Sequence, residues 1–242
     1  MNGRKAAVTR RRWAKSDHLW KGHDRPPSTA PVNHERALEQ TCWLTETQYR
    51  WQRPDAMRVD PQELIQLLNR AGVKFILMGH HGISGWLSNA RATRDVDVLV
   101  QKRHHGKAVR AIQEAYPTLT QVDNPVVTRF IDPDGGDAVI DVMRPNDLYA
   151  EAFKNTVRVG GTHEVPNLEL ALAAKFAALV SRNRDLIKKQ YDGGDFMQLV
   201  RRNHAAIDEQ RLRQLGDAVY KGGGETLVQF VEDVKAGRPL RV

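Results

Sequence analysis

Two aspartates within an apolar segment are the strongest chemical signal in this 242-residue chain. Asp95 and Asp97 belong to the run Arg-Asp-Val-Asp-Val-Leu-Val, which ends at Val100. Side chains two residues apart on a strand point to the same face of the sheet. Burying two like charges on one face is costly unless something compensates them. The pattern therefore indicates a bound cation.

A third carboxylate, Asp141, lies in the later apolar run 138–143. The turn-forming segment 132–137 precedes this run, so it is predicted to be the return strand of a hairpin. If the hairpin lies beside the strand that carries Asp97, three carboxylates converge and raise one another's pKa. One or two Mg²⁺ ions would reverse that effect, because Mg²⁺ prefers hard oxygen ligands. Two such ions can hold the attacking and leaving oxygens of a phosphoryl displacement.

The segment between the two apolar runs is polar and rich in small residues. The run 75–78 ends at Gly79, and His80, Gly82 and Ser84 follow.

Apolar periodicity and helix-end residues predict the helices and strands that position these residues. Asp60 as N-cap, Pro61 at the first helical position and Gly72 at the end predict a helix. The further predictions are strands at 73–78, 96–100, 126–131 and 138–143, and helices at 107–116, 168–182, 196–202, 208–220 and 225–234. This order predicts an α+β fold, a small mixed sheet followed by a C-terminal helical region.

Three regions are predicted: a basic, poorly ordered head at 1–56 with one short helix near 33–41, a catalytic core at 57–160, and a helical region at 161–242. The head holds 11 Lys and Arg against 6 Asp and Glu. Translation starting at Met57 and a basic arm that touches a partner are both open interpretations of the head.

Composition excludes several classes of protein. No apolar run approaches the roughly 20 residues that a membrane span requires, and no secretory apolar segment is present. Cys42 is the single cysteine, so an internal disulfide or a cysteine zinc cluster is excluded. We expect a cytoplasmic protein. The net charge of +8 is typical of nucleic-acid binding, but most of the excess lies in the head.

Across roughly residues 60–200 the chain resembles the nucleotidyltransferase superfamily of polymerase-beta-like enzymes. The likeness is greatest to the AbiEii-like branch, which includes toxin components of toxin–antitoxin pairs. The shared pattern is Gly79, then Arg91-x-Thr93-x-Asp95-Val-Asp97, then Asp141. A weaker part is Lys175, with Arg182 seven residues on and an Asp192-x-x-Asp195 segment; from the residues alone, Asp195 is interpreted as a helix cap.

The resemblance implies Mg²⁺-dependent transfer of a nucleoside monophosphate from an NTP to an acceptor hydroxyl, with release of pyrophosphate. Asp95, Asp97 and Asp141 would bind two metal ions. The nucleotide-binding residues would be Gly79, His80, Ser84, Arg91, Thr93 and Lys175. The acceptor could be RNA such as a tRNA 3′ end, a protein hydroxyl or a small molecule, and an antitoxin could be a partner.

A second interpretation comes from a different class. The resemblance implies a small residue that holds the triphosphate close to the backbone at the position of His80. A histidine can donate to a phosphate but blocks that close approach, and Gly82 and Ser84 could take over the contact. If His80 instead disables this phosphate-binding loop, the chain would be a non-catalytic relative that binds a nucleotide or RNA as an interaction module.

Overall fold

The computed structural model describes residues 32–52, 54, 56–145 and 147–240. Its described strands are β1 (Phe75–Leu77), β2 (Val96–Val100), β3 (Thr120–Asp123), β4 (Val127–Ile131), β5 (Ala138–Met143), β6 (Thr156–Val159) and β7 (His163–Pro166). They form one seven-stranded sheet in the order β3-β4-β5-β2-β1-β7-β6. β2 pairs with β1 antiparallel and with β5 parallel, and β1 pairs with β7 parallel. The predicted α+β class is confirmed.

Helices cover both faces of this sheet. They are α1 (His34–Gln52), α2 (Pro61–Arg70), α3 (Gly79–Ile83), α4 (His105–Ala115), α5 (Asp147–Ala150), α6 (Leu168–Val180), α7 (Leu186–Asn203), α8 (Glu209–Val219) and α9 (Gly223–Lys235). Short 3₁₀ turns lie at Ser84–Trp86, Lys102–His104, Ala152–Lys154 and His204–Ala206.

The end signals of α2 act as the sequence predicts. The Asp60 carboxylate accepts a hydrogen bond from the Gln62 N–H at 2.8 Å, and Pro61 occupies the first turn. Gly72 follows the helix with a φ of +59°, a left-handed conformation that favours glycine. The turn at Gly72 leads from the end of α2 into β1.

The two faces of β2 contact different layers. Val96, Val98 and Val100 pack in one buried cluster with residues of α2 and α4. Leu99 packs in a second cluster with residues of α6 and α7. Because side chains alternate along a strand, Asp97 shares the face of Leu99. The apolar neighbours on both faces fix β2, since each buried Leu or Val contributes about 1.5–3 kcal/mol.

Several elements differ from the sequence prediction. The helix expected near 33–41 runs from His34 to Gln52, and the helix expected at 196–202 begins at Leu186. The edge strand β3 was not predicted, nor was the β6–β7 hairpin. The region boundary placed at residue 160 falls in the turn of that hairpin. Residues 1–31 of the predicted head lie outside the described residues.

No helix among the described residues is long and apolar enough to cross a membrane.

Candidate functional site

Asp97 and Asp141 are direct neighbours on the two central parallel strands. The register of β2 and β5 pairs Asp97 with Asp141. Burial raises the pKa of Asp97 well above its ordinary value, and the charges of Asp95 and Asp141 raise it further. Burial and the Asp95 charge likewise raise the pKa of Asp141, although Arg129 opposes them. The structure thus brings together carboxylates that the sequence predicted to converge.

Asp141 has an incomplete set of partners. Its Oδ1 atom is 3.4 Å from Arg129 Nε in an ion pair, yet both atoms are buried without a hydrogen-bond partner among the described residues. A buried carboxylate oxygen of this kind carries a desolvation cost that a cation could offset.

Gly79 is the residue that makes room for Asp97. Its φ is +59°, and a Cβ built on it would overlap Oδ2 of Asp97. The backbone joins the same contact, since the Met78 N–H donates to the Asp97 carbonyl at 2.8 Å. The glycine predicted from sequence is required here by the neighbouring carboxylate.

Asp95 lies immediately before β2 and is held by the loop that precedes it. The Thr93 hydroxyl donates to Asp95 Oδ1 at 2.7 Å. Thr93 is therefore a hydrogen-bond donor to the Asp95 carboxylate. Its predicted contact with a nucleotide stays a prediction.

The donor set fits a hard divalent cation in its chemistry, because it consists of carboxylate oxygens. The unpartnered Asp141 Oδ1 and the raised pKa of Asp97 agree with that fit. Within the described ranges, however, no three His, Cys, Asp or Glu side chains are grouped so as to hold a metal ion. The three-carboxylate metal site stays a prediction.

His80 occupies a buried position between two segments. Its Nε2 accepts a hydrogen bond from the Arg91 N–H at 3.1 Å, which assigns the ring proton to Nδ1. Nδ1 is 3.4 Å from Asp195 Oδ2 and donates to it. Burial lowers the pKa of His80 although Asp195 opposes the shift, so the ring is neutral and serves as a bridge.

Lys175 is buried against two aspartates. Its Nζ lies 2.8 Å from Asp192 Oδ1 and 2.8 Å from Asp195 Oδ2. Burial alone would lower the pKa of this ammonium, but the two carboxylates outweigh it and the pKa is raised. Burial would likewise raise the pKa of Asp195, yet His80 and Lys175 hold it well below its ordinary range.

Two arginines complete this buried ionic cluster. Arg91 Nη2 donates to Asp195 Oδ2 at 3.0 Å, and the guanidinium lies over the Tyr191 ring at 5.2 Å. Arg184 Nε donates to Asp192 Oδ2 at 2.9 Å. The interpretation of Asp195 as a helix cap is wrong: the residue lies inside α7, whose N-cap is Asp185.

Ser84 and His81 are also engaged within the protein. The Ser84 hydroxyl donates to the His81 carbonyl at 2.9 Å. Thr41 donates its single proton to the Leu38 carbonyl at 2.8 Å, so it accepts from His81 Nδ1, 2.8 Å away. Both side chains are buried.

Arg94 links the loop before β2 to the β4–β5 hairpin. It forms an ion pair with Asp132 at 2.8 Å and another with Asp137. Asp132 also accepts from the Met57 N–H at 3.1 Å. Asp132 belongs to the predicted turn 132–137, but no local pattern indicates Arg94 as its partner, because the two residues are far apart in the chain.

Two cavities of about 390 Å³ each lie elsewhere in the described part of the chain and are lined by other residues. One surrounds Phe75 at the start of β1, and the second lies between α1 and α2 near Leu38 and Ile65. Neither is lined by the three aspartates. We base the site on the carboxylates and their partners, since these carry the chemistry.

No protein-family model and no curated protein matches the chain. Among solved structures, JHP933 from Helicobacter pylori is similar over 73% of this chain and 94% of that chain, with 11% identity and a TM-score of 0.40. The Megavirus polyadenylate synthase is similar over 84% of this chain and 39% of its own, with 7% identity and a TM-score of 0.43. The Thermotoga maritima CCA-adding enzyme, complexed with tRNA, is similar over 76% and 55%, with 12% identity and a TM-score of 0.32. Because all three TM-scores are below 0.5, the functional interpretation rests on the site itself.

Proposed function

We propose that the chain is a Mg²⁺-dependent nucleotidyltransferase that moves a nucleoside monophosphate from an NTP to an acceptor hydroxyl and releases pyrophosphate. The observation that carries the proposal is the pairing of Asp97 with Asp141 on adjacent parallel strands. Gly79 has no side chain, and the Asp97 carboxylate occupies the space that a Cβ there would need. Carboxylates that raise one another's pKa in a partly buried position are typical of functional sites.

Asp97 and Asp141 would hold the metal ions, with Asp95 as the third ligand. Bound Mg²⁺ would neutralise the charge of the triphosphate and of the leaving pyrophosphate. Gly79 gives the Asp97 carboxylate its place, and Thr93 orients Asp95. Arg129 offsets part of the charge on Asp141, which limits the repulsion within the group.

The phosphate contacts predicted for His80, Ser84 and Lys175 would require each side chain to exchange a hydrogen bond that it already makes. We therefore assign these three residues to positioning. Arg91 differs from these three residues in exposure, because one-third of its side chain is exposed, although its guanidinium also pairs with Asp195.

The second candidate is a nucleotide- or RNA-binding module without catalysis. Two observations favour it: the described residues contain no assembled metal-ligand group, and His80 and Lys175 are tied into the ionic cluster. The acceptor, a toxin role and an antitoxin partner remain predictions from the resemblance.

The test is incubation with each labelled NTP, Mg²⁺, total RNA and total protein, followed by location of the label. We expect labelled product from the wild type and none from Asp97→Ala. Asp134→Ala is the matched control, since Asp134 belongs to another Asp-x-Asp pair but is exposed in the hairpin turn.

Transfer by Asp97→Ala at the wild-type rate would contradict the assignment of the metal ligands. Tight NTP binding by the wild type with no pyrophosphate released under any condition would instead support the binding module.

A further inference from the structure

We infer that helix α1 is part of the candidate site and that Thr45 is a positioning residue for Asp95. The inference rests on the proposed function for its meaning, but the contacts that carry it can be tested separately. Thr45 lies outside residues 60–200, so the resemblance gives it no role.

The first observation is a pair of hydrogen bonds from one hydroxyl. Thr45 Oγ1 donates to the Thr93 carbonyl at 3.1 Å and accepts from the Thr93 N–H at 3.1 Å. Thr93 lies in an irregular segment before β2, where no strand partner is present for its backbone. Thr45 thus contacts both the N–H and the carbonyl of Thr93, which are polar groups that are costly to bury without partners.

The second observation continues the chain of contacts to the carboxylate. The Thr93 hydroxyl donates to Asp95 Oδ1 at 2.7 Å, and Thr93 is 8% exposed. Thr45 fixes the backbone of Thr93, and Thr93 in turn orients Asp95. Loss of the Thr45 hydroxyl would leave the Thr93 N–H without its acceptor and loosen the segment whose hydroxyl orients Asp95.

The third observation shows that the contact is part of a polar stripe on α1. Thr41, Thr45 and Tyr49 are spaced by four residues and therefore share one face of the helix. Thr41 accepts from His81 on α3, the helix that begins at Gly79. Burial raises the pKa of Tyr49, and the Asp95 charge raises it further.

This stripe therefore contacts both segments that flank the Asp97 carboxylate, the α3 segment and the loop before β2. A chain starting at Met57 would lack all three side chains. The function of α1 is to hold the candidate site in shape, in addition to packing its Leu38 in the core.

The experiment compares three variants of the full chain. Thr45→Val keeps the shape and removes the hydroxyl, Thr45→Ser retains the hydroxyl, and Thr47→Val is a control at an exposed position of the same helix. Circular dichroism and thermal unfolding establish that each variant is folded before the site is measured.

The first readout is amide hydrogen exchange at Thr93, which does not depend on activity. We expect exchange in Thr45→Val to be roughly tenfold faster or more, since a net hydrogen bond is lost, with Thr45→Ser and Thr47→Val like the wild type. Unchanged exchange in Thr45→Val would overturn the inference.

The second readout is function, measured as Mn²⁺ binding and as label transfer. We expect Thr45→Val to bind Mn²⁺ roughly tenfold more weakly and to show a lower kcat, and Thr45→Ser to restore both. If the wild type binds Mn²⁺ and Thr45→Val binds it equally well, the positioning role is wrong. If the wild type neither binds Mn²⁺ nor transfers label, the proposed function fails, and the exchange rate alone decides whether Thr45 holds the loop.

Discussion

The Asp97 carboxylate occupies the space that a Cβ on residue 79 would need, so Gly79 and Asp97 form a close contact between α3 and β2. The contact places a backbone turn directly beside the carboxylate pair. The contact also explains why residue 79 is a glycine without invoking a bound phosphate.

Gly79→Ala tests this contact. We expect two effects, the cost of a left-handed alanine, about 1–2 kcal/mol, and displacement of Asp97 by the new Cβ. Gly136→Ala is the matched control, because Gly136 has a φ of +67° and a Cβ there meets nothing within 4 Å. Denaturant unfolding and Mn²⁺ titration measure the two effects.

Both variants are expected to lose stability, and Gly79→Ala is expected to lose more. Gly79→Ala alone would weaken Mn²⁺ binding. Equal behaviour of the two variants would show that the Asp97 contact has no consequence.

Asp97→Asn is expected to stabilise the metal-free protein at neutral pH. The folded state raises the pKa of Asp97 above its unfolded value, so the ionised carboxylate destabilises the fold. The gain should be present near pH 7 and vanish below the unfolded pKa of about 3.8. Thermal unfolding at pH 7 and pH 4 measures it, with Asp134→Asn as the exposed control.

Asp97→Asn is also expected to abolish the stabilisation of the protein by Mg²⁺. Mg²⁺ should raise the unfolding temperature of the wild type by mass action and leave Asp97→Asn unchanged. A shift of equal size in both proteins would place Mg²⁺ binding elsewhere.

Lys175→Met is expected to destabilise the fold by about 3–5 kcal/mol, because it leaves Asp192 and Asp195 buried with one cation fewer. Lys154→Met is the matched control, since its pair with Glu151 is exposed and worth about 0–1 kcal/mol. Urea unfolding measures both. Adding Asp195→Asn to Lys175→Met should recover part of the loss, and strictly additive effects would show that the two residues do not interact.

We expect His81 to make the free energy of unfolding depend on pH. Burial lowers its pKa from 6.5 to about 3. Between these two values the unfolded chain binds a proton that the folded chain does not, so stability falls as pH falls from 6.5 toward 3. His81→Gln should reduce this slope in unfolding experiments at a series of pH values.

His204→Gln is the control for that series, because His204 is exposed. It should keep the wild-type slope. A slope in His81→Gln as steep as in the wild type would show that other groups cause the acid sensitivity.

Sequence patterns predicted the elements whose signals are local. The cap at Asp60 predicted α2, the alternation after Asp95 predicted β2, and the turn 132–137 predicted the β4–β5 hairpin. β3 was missed because all four of its residues are exposed, which leaves no alternation to detect. The long extent of α1 was missed because its sequence shows no sustained apolar periodicity, and Leu38 and Thr41 are its buried residues.

The composition of the candidate site was predictable in type but not in partners. An aspartate near Asp97 could be expected from the order of strands, and the register with Asp141 agrees. The pairing of Lys175 with Asp195, or of Thr45 with Thr93, depends on how distant helices pack. No spacing in a single sequence encodes that packing. The phosphate contact of Lys175 came from the resemblance and stays a prediction.

The parallel pairing of Ile76 with Glu164 has a consequence for synthesis on the ribosome. β1 and β2 leave the ribosome well before β7, and contacts of this sequence separation form slowly. Lys175 and Asp195 follow β7 in the chain. Asp95 and Asp97 are therefore synthesised well before the ionic cluster of Lys175 and Asp195 can form. We expect a nascent chain stalled before α7 to remain open to proteases at residues 79–97, and protection there to arise only once α7 has emerged.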